Sequence, residues 1–120
     1  MNGDGSTSRD FCYIANVVQA NLLAAAVASN SPVINGVVNI ACGATTSLNQ
    51  LQEMLRVENS RVKGFSSGEI PAPRYAPFRK GDIAHSLANI DLAKSQLGYH
   101  PSHSVAEGLA ELVQAELGVG

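Results

Sequence analysis

Charge is the scarcest commodity in this sequence. Asp, Glu, Lys and Arg make up 15% of its 120 residues, against roughly 25% in an ordinary soluble domain, so part of the folded surface is apolar and suited to a partner. The net charge is −2 and the longest basic run is Arg79-Lys80, which excludes the electrostatic footprint needed for a nucleic acid or an anionic membrane surface. Tryptophan is absent and aromatics reach only 5%. The two cysteines, Cys12 and Cys42, lie in apolar contexts without CxxC spacing; this excludes a disulfide scaffold and reads as reduced thiols in a soluble, cytoplasmic protein. No signal peptide or long apolar span is expected. His85, His100 and His103 have no cysteine or carboxylate at ligand spacing, so no metal site is expected.

At this length a single domain is the ceiling, with roughly two-thirds of the unfolded surface buried on folding. Asn2-Gly3 and Asp4-Gly5 accept positive φ at little cost and predict a tight turn. A strand is expected over residues 10-14, then a helix starting at Asn16, with Gln19 at capping-box spacing. Its continuation, LLAAAVA, is apolar on every face, the pattern of a helix covered on more than one side, and Asn30-Ser31-Pro32 should end it. The run VVNIAC, residues 37-42, reads as a strand covered on both faces. Ser47 and Gln50 form a second capping box ahead of an apolar stripe of Leu48, Leu51, Met54 and Leu55. Residues 58-82 keep no helical period and hold glycine at 64, 68 and 81 and proline at 71, 73 and 77. A mobile loop over residues 58-73 and an edge strand over residues 74-78 are expected there. Asp91 should cap a short helix ending at Leu97 with Gly98 as left-handed cap, and Ser104 with Glu107 should open a last helix running to Gly118. Strands alternating with helices predict an α/β arrangement, an α+β-like small lobe in which short strands form a small sheet against about four helices.

The residues with chemical reach are two arginines and a carboxylate beside glycine turns: Arg9 after GDGSTS, and Arg79 with Asp82 in RKGD. A guanidinium presented by a short turn suits a phosphate or diphosphate, because its planar fork donates paired hydrogen bonds. Asp82 could accept from the hydroxyls of a ribose. Spacing alone equally allows, and favours, ordinary surface ion pairs: Arg9 with Asp10 or Asp4, and Arg79 with Asp82, each worth under ~1 kcal/mol. GDGSTS is neither a dinucleotide fingerprint nor a Walker loop. Ser6, Thr7, Ser8 and Cys12 have no histidine at a spacing that suggests a positioned base.

Three stretches, NGDGSTSRDFCYIANVVQANLLAAA, VVNIACGATTSLNQL and FRKGDIAHSLANIDLAKSQLGYHPSHSVAEGLAE, resemble in order and spacing the C-terminal, substrate-binding portion of extended short-chain dehydrogenase/reductase nucleotide-sugar epimerases, above all UDP-N-acetylglucosamine 4-epimerases. The resemblance covers nearly the whole chain and is weakest from Val57 to Tyr75. It implies that Arg9 contacts the UDP part of a substrate, Arg79 binds its diphosphate and Asp82 its uridine ribose. Ala15 stands where the family has an acidic residue, while Asn16 fits the Asp or Asn that follows. The resemblance also implies an NAD-binding Rossmann domain, with a GxxGxxG loop and a YxxxK acid/base pair, ahead of Met1. Neither motif occurs in these 120 residues, so no cofactor and no catalytic residue are expected in this chain. The reading is a truncated or stand-alone epimerase lobe that binds a UDP-sugar, paired with itself as a homo-oligomer or with a separate Rossmann-domain partner. The rival is a non-catalytic oligomerising module, or an orphan fragment, without a ligand.

Overall fold

In the computed structural model, which describes residues 1-30, 35-64 and 69-117, six elements follow one another. They are β1 (Ser8–Arg9), α1 (Ile14–Asn30), β2 (Thr46–Ser47), α2 (Leu48–Lys63), α3 (Asp91–Leu97) and α4 (Val105–Glu116). The expected small α/β lobe is what forms: four helices around a two-stranded sheet. β1 pairs antiparallel with β2, Ser8 opposite Ser47 and Arg9 opposite Thr46. Ser8 also makes a parallel bridge to His85 on its other side.

Helix ends show where local chemistry decides. Ser47 Oγ accepts from the Gln50 amide at 3.1 Å while Gln50 Oε1 accepts from the Ser47 amide at 2.9 Å, the reciprocal box expected for α2. That helix continues to Lys63 and closes on Gly64 at φ 69°, so residues 58-63 are helical where the sequence suggested a loop. Ion pairs take over from apolar period there: Arg56 to Glu53 at 2.6 Å and Arg61 to Glu58 at 2.7 Å, both three residues apart. Residues 65-68 of the expected loop lie outside the described residues, as do Ser31, Pro32 and Gly118. Gly98 closes α3 at φ 67°, as its sequence implies. Its start differs: Asn89 Oδ1, not Asp91, takes the first orphan amide, that of Asp91, at 2.9 Å. In α4 Ser104 Oγ accepts from the Glu107 amide at 3.2 Å, but the Glu107 carboxylate accepts from the Ser104 hydroxyl at 2.8 Å instead of reaching back to its amide.

Four expectations fail. α1 starts at Ile14 because Asn16, fully buried, turns its side chain into the interior and cannot fold back as a cap. The strand expected over residues 10-14 is displaced to Ser8–Arg9. Residues 37-42 form no strand, and the edge strand over residues 74-78 shrinks to a single parallel bridge between Asn2 and Ala76. A strand exists only where a neighbouring strand takes its amides and carbonyls; among the described residues no strand pairs with the run from Val37, whose Ala41 carbonyl and Cys42 amide are taken by the Tyr99 hydroxyl and the Asp10 carboxylate.

The core is correspondingly small. Ala20, Ala41, Ile90, Ala93 and Tyr99 are buried together, with Leu23, Val38, Ile40, Ala88 and Leu97 packed around them. The Tyr99 hydroxyl donates to the Ala41 carbonyl at 2.7 Å, and burial pushes its pKa well above the usual phenol value. α1, which the sequence suggests is covered all round, instead leaves Ile14 61%, Val18 50% and Leu22 68% exposed. The molecule is a slab of 56 × 41 × 16 Å with a radius of gyration of 17.5 Å, where a compact domain of this length has roughly 13–14 Å. Its accessible surface of 7869 Å² exceeds the roughly 6,200 Å² expected for its mass.

Candidate functional site

The opening turn is shaped by its own chain. Gly3 and Gly5 adopt φ 79° and 82°, and a Cβ at either would run into the Phe78 ring or the Asn49 amide. These glycines therefore make room for the protein's own side chains and do not open a backbone cradle to a phosphate. Asn49 locks the turn, donating to the Asp4 carbonyl at 3.1 Å and accepting from the Tyr75 hydroxyl at 3.0 Å. Asp4 is tied to Ser6 through its amide at 2.9 Å and its hydroxyl at 2.6 Å, and those bonds hold its carboxyl below the usual range.

From this turn β1 carries Arg9 directly past the segment that follows RKGD. The Ser8 amide donates to the Ala84 carbonyl at 2.9 Å and the Ser86 amide to the Ser8 carbonyl at 3.1 Å. Arg9, half-buried, donates from Nη1 to the Ser8 carbonyl at 2.8 Å and toward the Ala84 carbonyl at 3.4 Å. Among the described residues it makes no ion pair and leaves Nε and Nη2 without a hydrogen bond. Neither Asp4 nor Asp10 takes it; Asp10 instead accepts the Cys42 and Gly43 amides at 2.9 and 2.8 Å.

Arg79 and Asp82 sit on an exposed turn closed by the Asp82 amide donating to the Arg79 carbonyl at 3.3 Å, with Gly81 at φ 88°. Arg79 Nε meets Asp82 Oδ2 at 3.2 Å, with 72% of the arginine side chain exposed. An exposed pair of this kind is worth about 0–1 kcal/mol, so an incoming anion can take the guanidinium at little cost. The structure brings Arg9 and this turn onto one edge: Asp82 is two residues from Ala84, a reach of at most ~7 Å, and Ala84 touches both β1 and the Arg9 side chain. The ion pair is the one spacing predicts; the arginine–aspartate pairs suggested for Arg9 do not form.

The contacts of three residues of consequence could not be read from the sequence. His85 Nδ1 lies 2.9 Å from Ser8 Oγ, a contact across 77 positions that no spacing rule detects. Asn16 Oδ1 accepts from the Ser102 amide at 2.9 Å and the His103 amide at 3.1 Å, and Nδ2 donates to the His103 carbonyl at 2.9 Å. His103 in turn bridges Ser102 Oγ at 2.8 Å and Glu111 Oε1 at 2.9 Å. The serine hydroxyl is also within 3.2 Å of Asn16 Oδ1 and the imidazole packs against the Tyr13 ring at 5.2 Å, so this cluster ties α1 to α4. Cys42, whose thiol pKa burial raises, belongs to the same buried seam. A groove of about 400 Å³ between residues 11-14, α2 and α4 is lined by Phe11, Tyr13, Leu51, Leu55 and Leu109, and includes none of Arg9, Arg79 or Asp82. Among the described residues no group of histidines, cysteines and carboxylates could hold a metal. No helix among them is long and apolar enough to cross a membrane.

No family model matches the chain. Over nearly its full length, however, it is similar to the C-terminal third of UDP-sugar 4-epimerases. The UDP-glucose 4-epimerase of Corynebacterium glutamicum is 33% identical over 108 residues, 90% of this chain and 30% of its own. The crystal structure of the Thermotoga maritima UDP-glucose 4-epimerase with UDP-glucose superposes on 99% of the chain and 34% of its own at a TM-score of 0.79, with 34% identity. The UDP-N-acetylglucosamine 4-epimerase of Methanobrevibacter ruminantium in complex with UDP-N-acetylmuramic acid matches 100% of the chain and 34% of its own at 0.76, with 31% identity. Other matched structures were solved with NAD beside a UDP-sugar. The chain spans between 26% and 32% of the length of the curated epimerases it matches.

Proposed function

We propose that this chain is the substrate-side lobe of a UDP-sugar 4-epimerase, in which Arg9 and Arg79 grip the diphosphate and Asp82 the uridine ribose. The single observation carrying this is the parallel alignment of β1 with the segment after RKGD, which gathers residues 70 positions apart onto one edge. Charge supports it. Arg9 has donors free of protein partners among the described residues, and Arg79 is held only by an exposed carboxylate that a diphosphate displaces cheaply. When it does so, Asp82 is released to accept from ribose hydroxyls.

The chain does not epimerise alone. Its 120 residues contain neither GxxGxxG nor a tyrosine with lysine four positions on, and its one glycine-rich turn is filled by Phe78 and Asn49. The redox step that NAD supplies in an epimerase therefore belongs to another lobe, and the work of this one is to bind and orient. Its place is the apolar face of Ile14, Val18 and Leu22 on α1, together with Val37, which is 89% exposed. The surface in excess of a compact domain, about 1,700 Å², is about twice what one partner contributes to a standard protein interface. A second copy of the chain is the alternative occupant of that face.

Titration calorimetry of the chain with UDP and UDP-N-acetylglucosamine tests the reading. Heat of binding at millimolar nucleotide, weakened about tenfold or more by Arg79→Ala, is expected. No heat, or binding indifferent to Arg79→Ala, refutes it.

A further inference from the structure

We infer that Ser8 and His85 are a positioning pair that sets the spacing of the diphosphate clamp, an inference that rests on the reading of Arg9, Arg79 and Asp82 above. The two halves of that clamp are far apart in sequence. Ser8 is the neighbour of Arg9, and His85 lies three residues beyond Asp82. What joins them at β1 is the backbone ladder from Ser8 to Ala84 and Ser86, at 2.9 and 3.1 Å, a long contact from Arg9 Nη1 to the Ala84 carbonyl at 3.4 Å, and one link between two side chains, Ser8 Oγ to His85 Nδ1 at 2.9 Å.

The link cannot be a nucleophile and its base in the usual sense. A base is oriented by a third group, and no carboxylate among the described residues bonds His85. It is also not needed for packing, since the His85 side chain is exposed. Its location is what distinguishes it. The backbone ladder by itself is one bridge wide, and a ladder of that width can hinge about the strand axis. A second tie standing off the backbone removes the hinge and fixes the Arg9 side chain relative to the RKGD turn. Two guanidinium groups share one diphosphate only if their separation is set before the ligand arrives.

The test is UDP titration of the full chain in five forms: wild type, Ser8→Ala, His85→Ala, His85→Asn and the double variant Ser8→Ala/His85→Ala, with far-UV circular dichroism on each. Each alanine variant should weaken UDP binding about five- to tenfold, the size of one lost hydrogen bond. Asn, whose amide places a polar atom near the position of Nδ1, should restore most of the affinity. The double variant should be no weaker than either single one, since both remove the same link. Unchanged affinity in His85→Ala while wild type binds overturns this inference alone; no binding by wild type overturns the clamp reading and this inference with it. Should His85→Ala prove unfolded, Ser8→Ala, which leaves every backbone bond in place, decides in its stead: affinity equal to wild type refutes the pair.

Discussion

Asn16→Ala should come close to unfolding this protein. The side chain has 0% exposure and holds the approach to α4 by three bonds to the backbone: the amides of Ser102 and His103 on its oxygen, at 2.9 and 3.1 Å, and the His103 carbonyl on its nitrogen, at 2.9 Å. Alanine strands two amides and a carbonyl in a buried seam, each costing about 1–3 kcal/mol when unsatisfied. Relaxation and water entry recover part, leaving a net loss of about 3–5 kcal/mol. Against a usual stability of about 5–15 kcal/mol, and with so few buried apolar side chains to draw on, that is most of what there is. Equilibrium urea unfolding followed by circular dichroism reads the loss as a lower midpoint at unchanged slope. Asn16→Leu separates the causes: it refills the volume but restores no bond, so it should lose nearly as much as alanine. Asn16→Asp keeps the acceptor for both amides, and its penalty comes from burying a carboxylate with a second oxygen turned toward the His103 carbonyl. A loss under ~1 kcal/mol in Asn16→Ala, or rescue by leucine, would show that the hydrogen bonds are not what holds this seam.

Alkaline pH should act through Tyr99. Its phenol is held neutral by burial, with a folded pKa above the usual value of 10.0, so its contribution is complete below about pH 10 and is lost as pH rises from there toward the folded value. Tyr99→Phe should flatten that alkaline limb while lowering stability at neutral pH by about 1–2 kcal/mol, because the Ala41 carbonyl loses its donor; a limb unchanged in the variant would clear Tyr99 of the effect. Leu22→Glu, placing a charge on the exposed face of α1, should abolish self-association of the isolated chain and leave the UDP titration unaffected. Light scattering that shows equal mass for variant and wild type at high concentration would place the interface elsewhere.

Much of the fold could be read from the sequence wherever the deciding partner sits a few residues away. The Ser47/Gln50 box, the left-handed Gly98, and the φ-positive Gly3 and Gly5 are all local devices, and each is where its residues say it should be. The Arg79–Asp82 pair is of the same kind. What could not be read depends on contacts across the chain. Asn16 has the sequence signature of a cap and the structural role of a buried bracket, because the amides it serves are those of Ser102 and His103. His85 and Ser8 looked like unrelated surface residues for the same reason. The long tail of α2 was missed because ion pairs at three-residue spacing replace the apolar stripe that a periodicity argument follows.

The remaining mismatch runs the other way and is the more informative. Leu22 and the VVNIAC run carry patterns that imply cover on more than one face, and the described residues do not supply it. An apolar helix face and a β-branched run without a partner strand are costly in a monomer: the first leaves surface in water at about 25 cal/mol per Å², and the second leaves Val37 89% exposed although Val38, Ile40 and Ala41 pack in the core. The exposed part of each is explained by a surface that completes it. Leu22 and the clamp residues Arg9 and Arg79 belong to different elements, α1 on the one hand and β1 with the RKGD turn on the other. Leu22→Glu should therefore abolish self-association and spare UDP binding, and Arg79→Ala the reverse.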